Sequence, residues 1–211
     1  WVWNADGWLA QLGMKDFAGS AAIHALGGAA AFAFAKVLGP RRGRFNNDGS
    51  VNVFAPSKMP LASAGTFILW FGWFGFNAGS TLNAADINLS VIALNTMLAA
   101  AAGGTSAMIY TMFRFGKADP SMTMNGALAG LVAITAGCAF VTSTSAILIG
   151  LVAGILVIWG TLAIDKLQVD DPVGAVAVHG VNGAFGTLAV GLFDQKEGLF
   201  TTGQFHLLGV Q

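Results

Sequence analysis

The sequence predicts an all-α polytopic membrane protein, and its composition is the first reason. Charged residues make up only 9% of the chain and hydrophobic residues 55%, whereas a soluble domain carries about 25% charged residues. Long stretches without Asp, Glu, Lys or Arg divide the chain into segments of membrane length. Such segments form helices in hydrocarbon, because unpaired backbone groups are costly there. The net charge is zero, so no basic excess is available for binding nucleic acid.

The charge-free stretches set the expected helices. A membrane helix needs about 20 apolar residues, so residues 120–164 are too long for one span and are divided by a turn near 137–145. We expect six full spans and the start of a seventh, all in one transmembrane domain covering residues 1–211. The chain begins at Trp1 and ends in an apolar stretch, so we expect a fragment of a longer polytopic protein. The predicted helices cover about residues 17–38, 62–81, 88–113, 122–137, 144–165 and 172–193, with another starting at 203.

Lys and Arg predict how these helices are oriented. Only Lys15 and Lys196 fall on one side of the predicted membrane, and all other Lys and Arg residues fall on the opposite side. Because the basic side of a membrane protein faces the cytoplasm, we place the loop 39–60 there and residue 1 on the extracytoplasmic side. The expected location is the cell membrane, as a multi-pass protein. The cytoplasmic set is Lys36, Arg41, Arg42, Arg44, Lys58, Arg114, Lys117 and Lys166.

An internal repeat, D-x-x-G-x-x-x-x-H-x-x-x-G, occurs twice. In the first copy Asp16 precedes His24, and in the second Asp171 precedes His179. The topology puts the two Asp residues at opposite faces, so the two helices run in opposite directions, as inverted repeats of transporters do. Each Asp can cap the N–H groups at its helix start. Each His lies about 12 Å further along its helix, so both imidazoles are expected near the bilayer midplane.

The chemistry of two histidines at matched depth favours a site for a small polar guest. Burial in hydrocarbon favours uncharged imidazoles, which can bond to each other and leave one nitrogen each for the guest. The alternative is that each His only bonds a neighbouring helix, and this alternative stays open. No carboxylate, Cys or third His shares the helix faces of His24 and His179. No metal site, cofactor or enzymatic activity is therefore expected.

Residues 72–80 read Gly-Trp-Phe-Gly-Phe-Asn-Ala-Gly-Ser, and this run resembles the signature of the ammonium transporter family (Amt/MEP, with the Rhesus proteins as distant relatives). Collinear matches include Asn125-Gly-Ala-Leu-Ala-Gly and Ile149-Gly-Leu-Val-Ala-Gly. The resemblance implies an ammonium-transporter-like fold with inverted pseudo-repeats, of which this chain holds helices five to ten and the start of eleven. It implies ammonium/ammonia as substrate, a lipid bilayer, a homotrimer and a PII-type regulator at the cytoplasmic face.

The resemblance also implies roles for individual residues. They divide into the pore, an outer vestibule that binds ammonium, and supporting structure. In that order the residues are His24, His179 and Phe76; Trp3 and Ser80; and Asp16, Asp171 and Asn77. The implied function is recruitment and deprotonation of ammonium at the vestibule, followed by passage of ammonia through a narrow apolar pore. Two alternatives remain: an ammonium-sensing receptor domain with the same fold, and a Rhesus-type gas channel, against which the run at 77–80 argues.

Overall fold

The computed structural model describes residues 1–54 and 56–211, and helices dominate the described part of the chain. Five of its helices are long and apolar enough to cross a membrane, and a sixth apolar helix, α4, is shorter. Three further helical segments, of four or five residues, are Trp8–Gln11, Leu199–Thr202 and His206–Val210. The main helices are α1 (Ser20–Leu38), α2 (Met59–Thr81), α3 (Leu89–Phe115), α4 (Pro120–Ile134), α5 (Ser143–Lys166) and α6 (Val176–Phe193).

Helix α4 ends three residues before the predicted residue 137 and is short for a full span. It has 15 residues and therefore measures about 22 Å, less than the roughly 30 Å of a bilayer core. It begins after Asp119, whose carboxylate accepts hydrogen bonds from the N–H groups of Ser121 and Met122. Beyond Ile134 the chain stays apolar, but it leaves the helix because other segments satisfy its backbone. Asn95, for example, donates to two carbonyls of this turn at 3.0 and 3.1 Å.

The helices that carry the histidines begin later than predicted, at Ser20 and Val176 instead of about 17 and 172. The cause is the same in both: the glycine of the D-x-x-G pattern has a positive φ. Gly19 lies at φ 111° and Gly174 at φ 75°, which are left-handed conformations that L side chains avoid. The Asp therefore stands before a turn, and the helix starts after the glycine.

Helices α3, α4 and α5 form the tightly packed centre of the chain. Gly103 of α3 lies against both Gly126 of α4 and Gly154 of α5, and a methyl group added at any of the three would overlap a neighbouring backbone or side chain. Small residues allow membrane helices to approach this closely. The three helices therefore make a compact platform against which α2 and α6 pack, while α1 packs mainly against α6.

Helices α1 and α6 lie antiparallel, and ion pairs join their ends at both faces. Lys15, before α1, is 3.0 Å from Asp194, after α6. Arg41, after α1, is 2.7 Å from Asp170, before α6. The start of each helix thus meets the end of the other, as expected for two repeat segments that run in opposite directions.

Candidate functional site

Asp16 caps the helix that carries His24. Its two carboxylate oxygens accept hydrogen bonds from four consecutive backbone N–H groups, those of residues 19–22, at 2.8–3.0 Å. The residue is 5% exposed, so these N–H groups are its main partners. Asp16 thus fixes the turn from which His24 projects.

Asp171 occupies the same position before the helix that carries His179, but with fewer partners. Its Oδ2 accepts from the N–H groups of Val176 and Ala177 at 2.9 and 3.3 Å. Burial raises the pKa of Asp171, although these N–H groups and that of Ala175 act in the opposite direction. The second cap therefore repeats the first in position but is weaker in hydrogen bonding.

Both histidines lie on π-helical turns, Ser20–Ala25 and Val176–Val181. In the first turn, the N–H of His24 donates to the carbonyl of Gly19, five residues back, at 2.9 Å. Such turns are rare and occur mostly at functional sites. The two copies of the repeat therefore both depart from regular α-helix at the turn that carries the histidine.

The two imidazoles meet at the crossing of α1 and α6. Nδ1 of His24 and Nδ1 of His179 are 3.1 Å apart, so one ring donates and the other accepts when both are neutral. The ring centroids are 5.1 Å apart. His24 is 6% exposed, and its Nε2 is buried without a hydrogen-bond partner among the described residues. A buried polar atom of this kind is costly unless a guest bonds to it.

Two glycines of the repeat allow this contact. A methyl group on Gly28 would overlap the backbone of Gly180, and one on Gly183 would overlap the backbone of Ser20 and Ala25. Each glycine lies four residues after the histidine of its own helix and faces the opposite helix beside the other histidine. The spacing from histidine to glycine in the pattern thus determines how closely the two histidine helices approach.

Aromatic rings of α2 cover one face of His24. Trp73 stacks on His24 with a centroid distance of 5.1 Å, and Phe76 does so at 5.2 Å. The indole Nε1 of Trp73 donates to Thr135 Oγ1 at 3.0 Å, which fixes the ring. The sequence predicts Phe76 at the pore, whereas the role of Trp73 is missed. The available signal is its place in the signature run, three residues before Phe76 and hence on the same helix face.

The remaining expected site residues do not all converge. Ser80 donates to the carbonyl of Phe76 at 2.7 Å, one turn back in α2. Asn77 is fully buried and donates to Thr96 at 3.0 Å. Trp3 is more than half exposed and donates to the carbonyl of Asp16 at 2.6 Å. No hydrogen bond or ring contact joins Trp3 to Ser80 within residues 1–54 and 56–211.

The ion pairs at the two faces differ in composition. On one face, the ammonium of Lys15 lies 3.0 Å from Asp194 and 2.8 Å from Glu197. Burial acts against the charge of Lys15, but the bonds to Glu197 and Asp194 raise its pKa. On the other face, Arg41 donates two side-chain bonds to Asp170, which lower the pKa of that carboxyl.

Arg44 completes the second cluster. It lies 2.5 Å from Asp165 and 3.4 Å from Asp170 and is itself 9% exposed. Of the three arginines in the loop 39–60, Arg41 and Arg44 are thus held within the chain. The loop is thereby fixed to the end of α5 and the start of α6.

A bundle of apolar helices in which two oppositely directed repeats each bring a histidine to a central contact defines a multi-pass membrane protein of the inverted-repeat type. The chain belongs to the Ammonium Transporter Family, which it matches over residues 1–211. Members of this family are transporters, not enzymes, and the match fits the fold, including its inverted repeats.

Individual relatives agree with the family match. The chain is 48% identical over 213 residues to ammonium transporter Amt2 of Archaeoglobus fulgidus, covering 96% of this chain and 45% of the relative. It is 38% identical to ammonium transporter MEP2 of Saccharomyces cerevisiae, covering 97% of this chain and 41% of the relative. The chain therefore spans less than half the length of these two curated relatives.

Solved structures show the same fold. A structure titled sensor Amt protein superposes with a TM-score of 0.93 at 44% identity, covering 100% of this chain and 54% of the other. The crystal structure of Saccharomyces cerevisiae Mep2 gives a TM-score of 0.90 at 32% identity, covering 100% of this chain and 50% of the other.

Proposed function

We propose that the intact protein carries ammonium or ammonia across a membrane and that His24 and His179 line the passage. The observation that carries this proposal is the 3.1 Å contact between the two Nδ1 atoms, with Nε2 of His24 buried and unpartnered among the described residues. The names of the relatives, which are ammonium transporters, supply the substrate class.

Desolvation is the physical reason for a neutral passage. A bare cation in a narrow apolar pore loses its hydration at a cost that a few hydrogen bonds do not offset. An ammonia molecule can both donate to and accept from a neutral imidazole, so a chain of imidazole nitrogens lowers its barrier. Ammonium therefore gives up its proton to a water molecule of the vestibule before reaching His24, and the uncharged form passes along the two rings.

Recruitment and gating are assigned to the aromatic and hydroxyl residues. An aromatic face attracts a cation by about 0.5–2 kcal/mol, which suits Trp3 for the vestibule. The hydroxyl of Ser80 donates to Phe76, so its oxygen lone pairs remain able to accept from ammonium. Phe76 lies against His24 and keeps bulk water from the imidazole. Asp16, Asp171 and Asn77 support this geometry without binding the substrate.

The assembly and its setting complete the proposal. The protein acts as a homotrimer in the cell membrane, with residue 1 on the extracytoplasmic side and the loop 39–60 in the cytoplasm. The excess of Lys and Arg on the loop side supports that orientation. A PII-type regulator binds the cytoplasmic face, where Arg42 remains exposed while Arg41 and Arg44 are paired internally.

The test uses the intact protein in liposomes and measures ammonium-dependent current and uptake. We expect His24→Ala and His179→Ala each to lower flux at least tenfold or to change its selectivity. His206→Ala is the matched control, because His206 is exposed and lies outside the repeat. Wild-type flux in both pore variants would refute the role of the pair.

A second candidate function is ammonium sensing. It is favoured by the similarity to the structure titled sensor Amt protein, at 44% identity and a TM-score of 0.93. A sensor keeps the ligand site but does not conduct. Saturable ammonium binding to the intact protein, abolished by Ser80→Ala and accompanied by no flux in liposomes, would establish sensing over transport.

A further inference from the structure

A cavity lined by both polar and apolar groups lies away from the histidine pair, where α3 and α5 end. Its volume is about 770 Å³, and the loop residues 46–53 form one of its walls. Arg114 and Lys166, in the last turns of α3 and α5, line it from the helix side. Apolar groups of Phe115 and Leu162 form the remaining helix surface.

The cavity has an excess of positive charge. Arg114 and Lys166 are exposed, and neither has a carboxylate within ion-pair distance in the part of the chain that the structure describes. The one carboxylate lining the cavity is Asp165, which Arg44 already neutralises at 2.5 Å. Two cations therefore face the cavity without a compensating anion among the described residues.

Helix length places these cations at the membrane surface. Helix α3 has 27 residues and α5 has 24, so they measure about 40 and 36 Å. Both exceed a hydrocarbon core of roughly 30 Å, and their final turns therefore reach the headgroup layer. Phe115 is exposed in the same final turn as Arg114, and Leu162 is exposed one turn before Lys166 in α5.

The loop wall of the cavity is held in place by hydrogen bonds. Phe45 and Val51 pair as an antiparallel bridge, which closes residues 45–51 into a small hairpin. Gln168, after α5, donates to the carbonyl of Gly49 at 3.2 Å. The ion pair of Arg44 with Asp165 holds the base of the hairpin against α5. The cavity is therefore formed by the chain itself before any ligand binds.

We propose that this cavity binds the phosphate of an anionic membrane lipid. Arg114 supplies a planar fork that matches phosphate oxygens, and Lys166 supplies a second positive charge. Basic pockets at the membrane-facing ends of helices suit such headgroups, with the acyl chains lying along Phe115 and Leu162. The inference does not depend on transport, so loss or retention of flux in the histidine variants leaves it unaffected.

The test measures thermal stabilisation of the detergent-solubilised intact protein by added lipid. We expect phosphatidylglycerol to raise the melting temperature and phosphatidylcholine, which is zwitterionic, to have a much smaller effect. Replacing both cations, Arg114→Gln with Lys166→Gln, should raise the half-saturating concentration of phosphatidylglycerol at least fivefold. The control pair, Arg42→Gln with Lys58→Gln, removes the same charge from exposed residues outside the cavity and should leave it unchanged.

Three results would overturn the proposal. The first is an equal loss of phosphatidylglycerol binding in the control pair, which would mean general attraction to surface charge. The second is equal stabilisation of the wild type by the two lipids. In the third, inorganic phosphate would stabilise the wild type as strongly as phosphatidylglycerol and require the same two cations, which would identify free phosphate as the ligand.

Discussion

The two copies of the repeat differ in their surroundings more than in their own geometry. Both place an Asp before a glycine with positive φ, begin with a π turn and bring a histidine to the central contact. However, the carboxylate of Asp16 accepts hydrogen bonds from four backbone N–H groups, whereas that of Asp171 accepts from only two. Trp73 and Phe76 stack on His24, and His179 has a ring contact with His24 alone among the described residues. The repeat thus determines the contact between the two histidines, and the rings of α2 make the surroundings of the two histidines different.

The largest expected effect concerns the glycines, where the two copies should behave alike. We expect Gly28→Ala and Gly183→Ala each to destabilise the protein by about 2–3 kcal/mol, because the new methyl group meets backbone that cannot move aside. Gly27→Ala is the control, since nothing lies within 4 Å of its added methyl group. Melting temperature and monodisperse yield measure the effect. A harmless Gly28→Ala would show that the close contact of α1 and α6 is not required.

The caps come next, and here the two copies should differ. Asp16→Ala leaves four N–H groups without their acceptor, and we expect a loss of about 2 kcal/mol. Asp171→Ala removes two bonds, and its charged form is already penalised by burial, so a loss of about 1 kcal/mol is expected. Unfolding by denaturant gives both values. An equal or larger loss at Asp171 would contradict the inferred asymmetry.

The ion pairs at the two faces should respond differently to pH. The pKa of Lys15 is raised in the folded protein. The ion pairs of Lys15 therefore contribute fully to the stability of the fold below the ordinary lysine pKa of 10.5, and this contribution is lost as the pH rises through the higher pKa of the folded state. Arg41 stays charged there, so the cluster with Asp170 should not change. We expect an alkaline fall in melting temperature that Lys15→Arg shifts to higher pH. A fall unchanged by that substitution would assign it to another group.

The acid limb provides the complementary measurement. Arg41 lowers the pKa of Asp170 in the folded protein. The pair therefore stabilises the fold above the ordinary Asp pKa of 3.8, and this contribution is lost as the pH falls through the lower pKa of the folded state. Asp170→Asn should remove this part of the acid transition while leaving the alkaline one intact. An unaltered acid transition in that variant would show that the pair does not contribute.

The smallest expected effect is at Trp73, which stacks on both His24 and Phe76. Trp73→Phe keeps the stacked ring but removes the bond to Thr135, and we expect a loss of about 1 kcal/mol. Thr135→Val removes the same bond from the other side, so the double variant should be less destabilised than the sum of the two. Strict additivity would mean that the bond contributes nothing to stability.

The fold class is predictable from the sequence because hydropathy and charge alone decide where helices can cross a membrane. These signals yield the order of the six apolar segments and the opposition of the two repeats. The same signals predict a turn near 137–145 but not that α4 already ends at Ile134, because residues 135–141 are as apolar as the helix before them. Their backbone leaves the helix because Ser20 and Asn95, distant in sequence, supply hydrogen bonds.

The candidate site is predictable where it is local. The D-x-x-G pattern and the spacing from Asp16 to His24 are properties of a short segment, and helical rise converts them to depth. Trp73 escapes prediction because its partner, Thr135, lies 62 residues away on another helix. The π turns escape it too, since residues that permit a π turn form an α-helix equally well.

The π turn at Ser20–Ala25 has a consequence for how the rings are aimed. Such a turn holds one residue more than an α turn, so deleting one residue from it would leave a regular α-helix with its two flanking segments still in phase. Gly28, beyond the turn, would keep its contact with Gly180, whereas His24 would lose the position that the wider turn gives it. The approach of the two helices and the direction of the imidazole thus depend on different parts of α1.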